Sequence, residues 1–238
     1  MTYYVEQGYP TEAILEYLLN MINSGFEIWR KNNPNAYWRE FKFKPTEITA
    51  VAPLFDIVKF NDISKNIIAR QSGEELYNNW LAWAKEYDCQ TADILENDSD
   101  KFIKLCAMDR DGSVKPRKDI YNYSMMKEYF KYIFERSTFE FDENDKANAE
   151  EFLKAYAENY KEASTNEEWF ENVKVLAGSL GYATDNKLYK ANPENYKGNV
   201  AKACEFIRLA ITGQKTSPTL FTIMQILGEE EVKTRLKI

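Results

Sequence analysis

Apolar positions recur at spacings of three and four along most of this chain, the period of an α-helix that buries one side. Ile14, Leu15, Leu18, Leu19 and Ile22 follow it, predicting a helix opened by Pro10 and Thr11 and ended by Asn23, Ser24 and Gly25. Thr46 and Glu47 predict a short helical turn interrupted by Pro53, and Asp62 is a candidate cap for a helix through Ile67 and Ile68. Ser72 and Glu75 have the spacing of a capping box ahead of Leu76, Trp80, Leu81 and Trp83. Thr91 and Ser99 mark the next two starts, and Asp109 to Gly112 reads as a turn into Lys115-Pro116-Arg117-Lys118. Ser124 begins a helix rich in Tyr and Phe, and residues 144–163 read as a long acidic helix with Phe152, Leu153 and Tyr156 inward. Thr165 and Glu168 form a second capping box, for a helix ending at Gly181.

From Phe206 the chain reads FIRLAITGQKTSPTLFTIMQILGEEEVKTRLKI. Ser217-Pro218 predicts a helix start and Gly213 and Gly228 the stops, while Leu220, Phe221, Ile223, Met224 and Leu227 form an apolar stripe that needs a covering helix. Residues 41–43 carry the one convincing β signal. The expected fold is all-α in the main, a bundle or cage of about ten helices with at most a minor short strand near the N-terminal third.

Composition narrows the chemistry. The 238 residues include no histidine, which excludes Ser-His and Cys-His couples, histidine-bearing zinc sites and an imidazole base. Three dispersed cysteines argue against a disulfide framework, and no run of eighteen apolar residues exists to span a membrane. The first ten residues lack secretory-leader character, so a cytoplasmic location is expected.

The net charge of −7 is unfavourable for phosphate, but its distribution is uneven. Residues 101–130 carry seven basic side chains against four acidic, and residues 137–171 carry eleven acidic against three basic. The acidic stretch reads as a solvated helix face supported by i,i+4 pairs, and Asp109-Arg110-Asp111-Gly112 lacks the spacing of a calcium loop. No catalytic residue and no metal site is expected. Aromatic and basic residues interleave at Trp29-Arg30-Lys31, Trp38-Arg39 and Lys115 to Lys118, a composition suited to splayed RNA bases and phosphates.

Three stretches resemble bacterial-type class I glutamyl-tRNA synthetases, in that family's order. The closing string from Phe206 resembles its C-terminal signature. Residues 3–30, with Gly8-Tyr9-Pro10 before an apolar helix, are similar to the segment after its KMSKS-type loop. Residues 47–67 resemble its stem-contact segment, with Phe55-Asp56 and Lys59 at the FDxxKL pattern and Asn66 near the following Asn. The match over about 88–163 is looser. Asp62-Ile63-Ser64-Lys65-Asn66 is not read as a KMSKS loop, because it falls on a predicted helix and a HIGH motif is impossible without histidine.

The resemblance implies the C-terminal, tRNA-binding and anticodon-recognising part of such a ligase. Residues 1–98 would be a stem-contact-like region, 99–163 a first anticodon-binding subdomain and 164–238 a second. ATP and Mg²⁺ would serve the parent enzyme, with no cofactor in this chain. The implied partner is tRNA(Glu) or also tRNA(Gln), with no DNA and no membrane. Lys59 and Lys65 would contact phosphates and Arg208 would face the anticodon loop or anchor the terminal helices. Lys115, Arg117 and Lys118 are chosen on charge, and Trp29 and Arg30 as stacking or phosphate candidates. The competing reading is a freestanding helical protein-interaction module that binds no RNA.

Overall fold

The computed structural model describes residues 2–48 and 54–237. Among these, fifteen α-helices and three 3-10 turns account for the regular structure, and no strand forms. The chain folds as two compact units, 1–129 and 130–238.

The first unit contains α1 (Thr2–Glu6), α2 (Thr11–Ile22), α3 (Ser24–Asn32), α4 (Ile57–Arg70), α5 (Gly73–Tyr87), α6 (Cys89–Asn97), α7 (Ser99–Ala107) and α8 (Met126–Tyr129). Helices α2 and α4 pack around Tyr9, Ala13, Ile14, Tyr17, Phe60 and Ile67, with Tyr4 and Tyr121 at the edge. The Tyr9 and Phe60 rings stack with centroids 4.5 Å apart, a geometry that adds to area burial. Gly8 at φ +78° starts the turn into this core, where a Cβ would meet the backbone nitrogens of Tyr123 and Ser124 at 2.9 Å. Only glycine satisfies both demands. Helix α5 packs on α6 and α7 through fully buried Leu76, Trp80, Leu95 and Leu105.

The second unit contains α9 (Lys131–Phe134), α10 (Lys146–Asn159), α11 (Asn166–Ser179), α12 (Asn186–Ala191), α13 (Val200–Thr212), α14 (Leu220–Leu227) and α15 (Glu229–Leu236). Helix α13 is central, burying Ala203, Phe206, Ile207 and Ile211 against α10, α11 and α15. The stripe on α14 is covered as its spacing requires, with Leu220, Ile223 and Met224 buried. Arg235 is also buried, donating to the carbonyls of Tyr132 and Ile211, both at 2.7 Å, and to Glu231.

Several local expectations change. The Ser72–Glu75 capping box forms with both bonds, but Glu168 accepts from Ser164 N–H while Thr165 caps α11. Asp62 lies inside α4, which starts earlier because Asp56 accepts from the N–H groups of Val58 and Lys59 at 2.9 and 3.1 Å. Asp88 and Asp98 cap α6 and α7, one residue before each helix and ahead of the expected Thr91 and Ser99. The Tyr- and Phe-rich stretch breaks into the four-residue α8 and α9, and α12 forms where no helix was expected, so helices outnumber the expected ten. Residues 41–43 form no strand. Among the described residues no strand stands beside them to pair with, and Phe41 instead packs on Phe26 and Trp29. The expected break at Pro53 lies outside the described residues.

Candidate nucleic-acid interface

A cleft of about 900 Å³ opens in the first unit, bordered by α2, α3, α4, the start of α5 and the segment 110–118. Six cationic side chains line it, Arg30, Lys31, Lys59, Arg70, Arg110 and Lys118, against the four carboxylates of Glu16, Glu27, Glu75 and Asp111. In a chain of net charge −7 this is a locally positive concavity.

Its cations are held unequally. Glu16, only 2% exposed, accepts from Arg30 Nε at 3.0 Å and Nη2 at 2.5 Å, and from Arg70 Nη2 at 3.4 Å. Arg30 Nη1 also donates to the carbonyls of Asn33 and Ala36, so nearly all of its donors are used. Arg70 reaches the carbonyls of Asn66 and Pro34 at 3.2 Å and keeps donors for a ligand. Arg110 is buried and donates to the carbonyls of Cys106, Ile68 and Gln71, tying the end of α7 to the end of α4; burial lowers its pKa. Lys59 pairs with Glu27 at 2.7 Å. Among the described residues no carboxylate lies within ion-pair distance of Lys31 or Lys118.

The cleft therefore brings together Arg30, Lys59 and Lys118 from the sequence-derived set. Trp29 stands beside it, its ring 5.6 Å from Phe26 and 4.9 Å from the Arg30 guanidinium, neighbours that give it a packing role. Lys65 lies on α4 outside the lining, 3.5 Å from Asp62. Lys115 is exposed and also outside it. Arg117 bonds Asp119 at 2.6 Å and approaches Asp109 at 3.8 Å. Burial alone would push the Asp119 carboxyl up, but hydrogen bonds from Arg117 and Tyr129 hold it below the usual carboxylate range.

Arg208 lies in the second unit. Its Nη1 donates to the Ser217 hydroxyl and to the carbonyls of Ser217 at 3.3 Å and Pro218 at 3.1 Å. That clasp closes the turn between α13 and α14, and it uses Ser217, expected from sequence to start α14, as an acceptor instead. Gly213 ends α13 at φ +68°, where a Cβ would fall 2.3 Å from the Ser137 Cβ. The acidic stretch pairs across the unit rather than only along its own helix: Glu151 with Lys197, Asp145 with Lys202, and Asp142 with Lys215.

Sequence reasoning did not single out Arg70 and Arg110. Lys59, Ile63, Asn66 and Arg70 follow one another at four, three and four residues, so the pitch of α4 carries Arg70 onto the face of Lys59. Arg110 had no such signal, since two of its three carbonyl partners, Ile68 and Gln71, come from the distant end of α4.

A protein-family description, "Anticodon binding domain", matches residues 113–238, which include the whole of the second unit. The glutamate–tRNA ligase of Acetivibrio thermocellus is 40% identical over 241 residues, covering 100% of this chain and 44% of the relative. That of Clostridium perfringens strain SM101 is 38% identical, covering 100% and 44% respectively. The crystal structure of a glutamate tRNA ligase from Elizabethkingia meningosepticum, in complex with its amino acid, superposes with a TM-score of 0.65 over 98% of this chain and 41% of that one. At 15% identity this likeness is one of fold. The chain spans less than half the length of the curated relatives it matches, their C-terminal part. With one description covering more than half of its residues, and the matched region helical wherever it has regular structure, the chain belongs to the anticodon binding domain family.

Proposed function

We propose that this chain is the tRNA-binding, anticodon-recognising C-terminal region of a glutamate–tRNA ligase, acting in the cytoplasm on tRNA(Glu), or on tRNA(Gln) as well, and not on DNA. The observation that carries the reading is the end-to-end match to glutamate–tRNA ligases at up to 40% identity, which includes the family match over residues 113–238. In the parent enzyme, ATP and Mg²⁺ would support glutamate activation and transfer to the tRNA. No step of that chemistry is assigned to this chain. Among the described residues no three Cys, Asp or Glu side chains converge as metal ligands, and no helix is long and apolar enough to cross a membrane.

The division of labour follows the sequence: residues 1–98 contact the stem, and 99–163 and 164–238 form two anticodon-binding subdomains. Phosphate contacts fix register and base contacts give identity. In the first unit Lys31, Arg70 and Lys118 are the best-placed phosphate ligands, since they line the cleft and retain donors. Lys59, Lys65 and Lys115 supplement them electrostatically. Arg30 shapes the cleft, Arg117 orders the segment that presents Lys118, and Arg208 acts through the turn it fastens.

Titrating labelled tRNA(Glu), tRNA(Gln) and an unrelated tRNA at two salt concentrations tests the proposal. Binding should favour a cognate tRNA and weaken as salt rises. Absence of salt-dependent tRNA binding would favour the protein-interaction module and defeat the proposal.

A further inference from the structure

A second concavity of the first unit, of about 530 Å³, adjoins the cationic cleft and shares Asn35, Arg70, Gln71 and Glu75 with it. Residues 35–37 form part of its lining, and two arginines fasten the segment that carries them. Arg30, itself held by buried Glu16, donates to the carbonyls of Asn33 and Ala36, and Arg70 donates to that of Pro34. Tyr37, whose ring is 50% exposed, is held at its backbone N–H by the Glu40 carboxylate at 2.9 Å. Helix α5 adds the exposed amides of Asn78 and Asn79. Among the described residues the side chains of Asn35, Asn78 and Asn79 make no hydrogen bond. Gln71 gives its amide N–H to the Tyr123 hydroxyl at 3.1 Å and leaves its Oε1 buried without a partner, a costly state that a donor on a ligand would relieve.

We infer that this pocket takes an unpaired guanine base, stacked on Tyr37 and read along its edge by Gln71, Asn78 and Asn79. The volume falls in the range of about 300–1,000 Å³ typical of small-ligand sites, and an exposed ring beside free amides is the chemistry that holds a splayed base. Glu12 and Glu75 also line it, so it repels phosphate and suits the uncharged end of a nucleotide, whereas Arg70 at the shared rim suits the phosphate. The carboxylates and Gln71 Oε1 are acceptors, and guanine alone among the four bases presents two adjacent donors, N1–H and the exocyclic amine, on one edge. An asparagine N–H answers its O6. That the base belongs to a tRNA rests on the proposed function; a free guanine nucleotide offers the same edge.

The test titrates the chain with GMP, AMP, CMP and UMP while following the side-chain amide signals of Asn78 and Asn79 by NMR. GMP should shift them with an affinity about ten-fold or more above the other three, the discrimination expected of a paired set of base-edge bonds. The double variant Tyr37→Ala, Asn79→Ala, both exposed positions, should keep the unfolding midpoint and lose that preference. A second arm separates the two sources: kethoxal, which adds across N1 and the exocyclic amine of unpaired guanines, is applied to tRNA(Glu) bound to each protein. A guanine shielded by the wild-type chain and open with the double variant assigns the base to tRNA, and the variant should then bind tRNA about five-fold more weakly with an unchanged salt slope, since no phosphate contact is lost. GMP preference without such a guanine assigns the pocket to a free nucleotide. Equal response to all four nucleotides, or a GMP preference that survives in the double variant, overturns the inference. Binding of tRNA with the pocket silent to GMP would sink this inference alone, whereas GMP binding without tRNA binding would sink the tRNA reading alone.

Discussion

Replacing Glu16 by Ala tests the arrangement that shapes the cleft. The carboxylate is 2% exposed and takes two bonds from Arg30 and a longer one from Arg70, whose side chains are 16% and 24% exposed. Breaking a fully buried ion pair costs about 3–5 kcal/mol, because the abandoned charge stays out of water. Here both guanidiniums keep some water and Arg30 keeps two carbonyl partners, so the expected loss is about 2–3 kcal/mol. Glu16→Gln, which keeps the volume and one acceptor, should lose about 1–2 kcal/mol. Urea unfolding followed by tryptophan fluorescence is a suitable assay, since Trp29, Trp38, Trp80 and Trp83 belong to the first unit and only Trp169 to the second. A double-mutant cycle with Arg30→Ala isolates the pair, and its coupling should survive about 0.5 M salt, which screens exposed charges far more than buried ones. A loss below about 0.5 kcal/mol, or a coupling erased by salt, would show a solvated surface pair and refute the reasoning.

Lys31→Glu together with Lys118→Glu should weaken tRNA binding, with each lost phosphate contact reducing the log–log salt slope by about 0.7–0.9 and the circular-dichroism spectrum unchanged; an unaltered slope would remove both from the interface. Gly8→Ala should destabilise the first unit by about 1–3 kcal/mol in urea unfolding, since the φ of +78° and the 2.9 Å approach to two backbone nitrogens both oppose a Cβ. Glu231 has its pKa lowered to about 2, first by the hydrogen-bonded Arg136 and, against the opposing pull of partial burial, by Arg235. A depressed carboxylate stabilises the fold above its unfolded pKa near 4.5 and loses that contribution as pH falls toward 2, so Glu231→Gln should flatten the acid-stability curve of the second unit in that window, by on the order of 1 kcal/mol after solvent screening. Arg235→Met should cost about 3 kcal/mol in urea unfolding followed through Trp169, the tryptophan of the second unit, by stranding the buried carbonyls of Tyr132 and Ile211; a change under about 1 kcal/mol would show that these carbonyls find other donors.

What the sequence determined by itself is what depends on neighbours within a few residues. The helical period of α2, the Ser72–Glu75 box, the stop at Gly213 and the apolar stripe of α14 are local events, and each was legible. Where two local solutions competed, as with Asp56 against Asp62 for the start of α4, the string could not rank them. Packing decided, because Phe55 and Phe60 must reach the Tyr4–Tyr17 cluster, and that places the helix start at Asp56. The same holds for the cations. Arg30, Arg117 and Arg208 look alike in sequence to Lys31 and Lys118, yet the fold brings carboxylates and carbonyls to the first three and leaves the two lysines without a carboxylate partner among the described residues. A side chain's charge is fixed by its identity, whereas its freedom to meet a ligand depends on which distant groups the folded chain sets beside it.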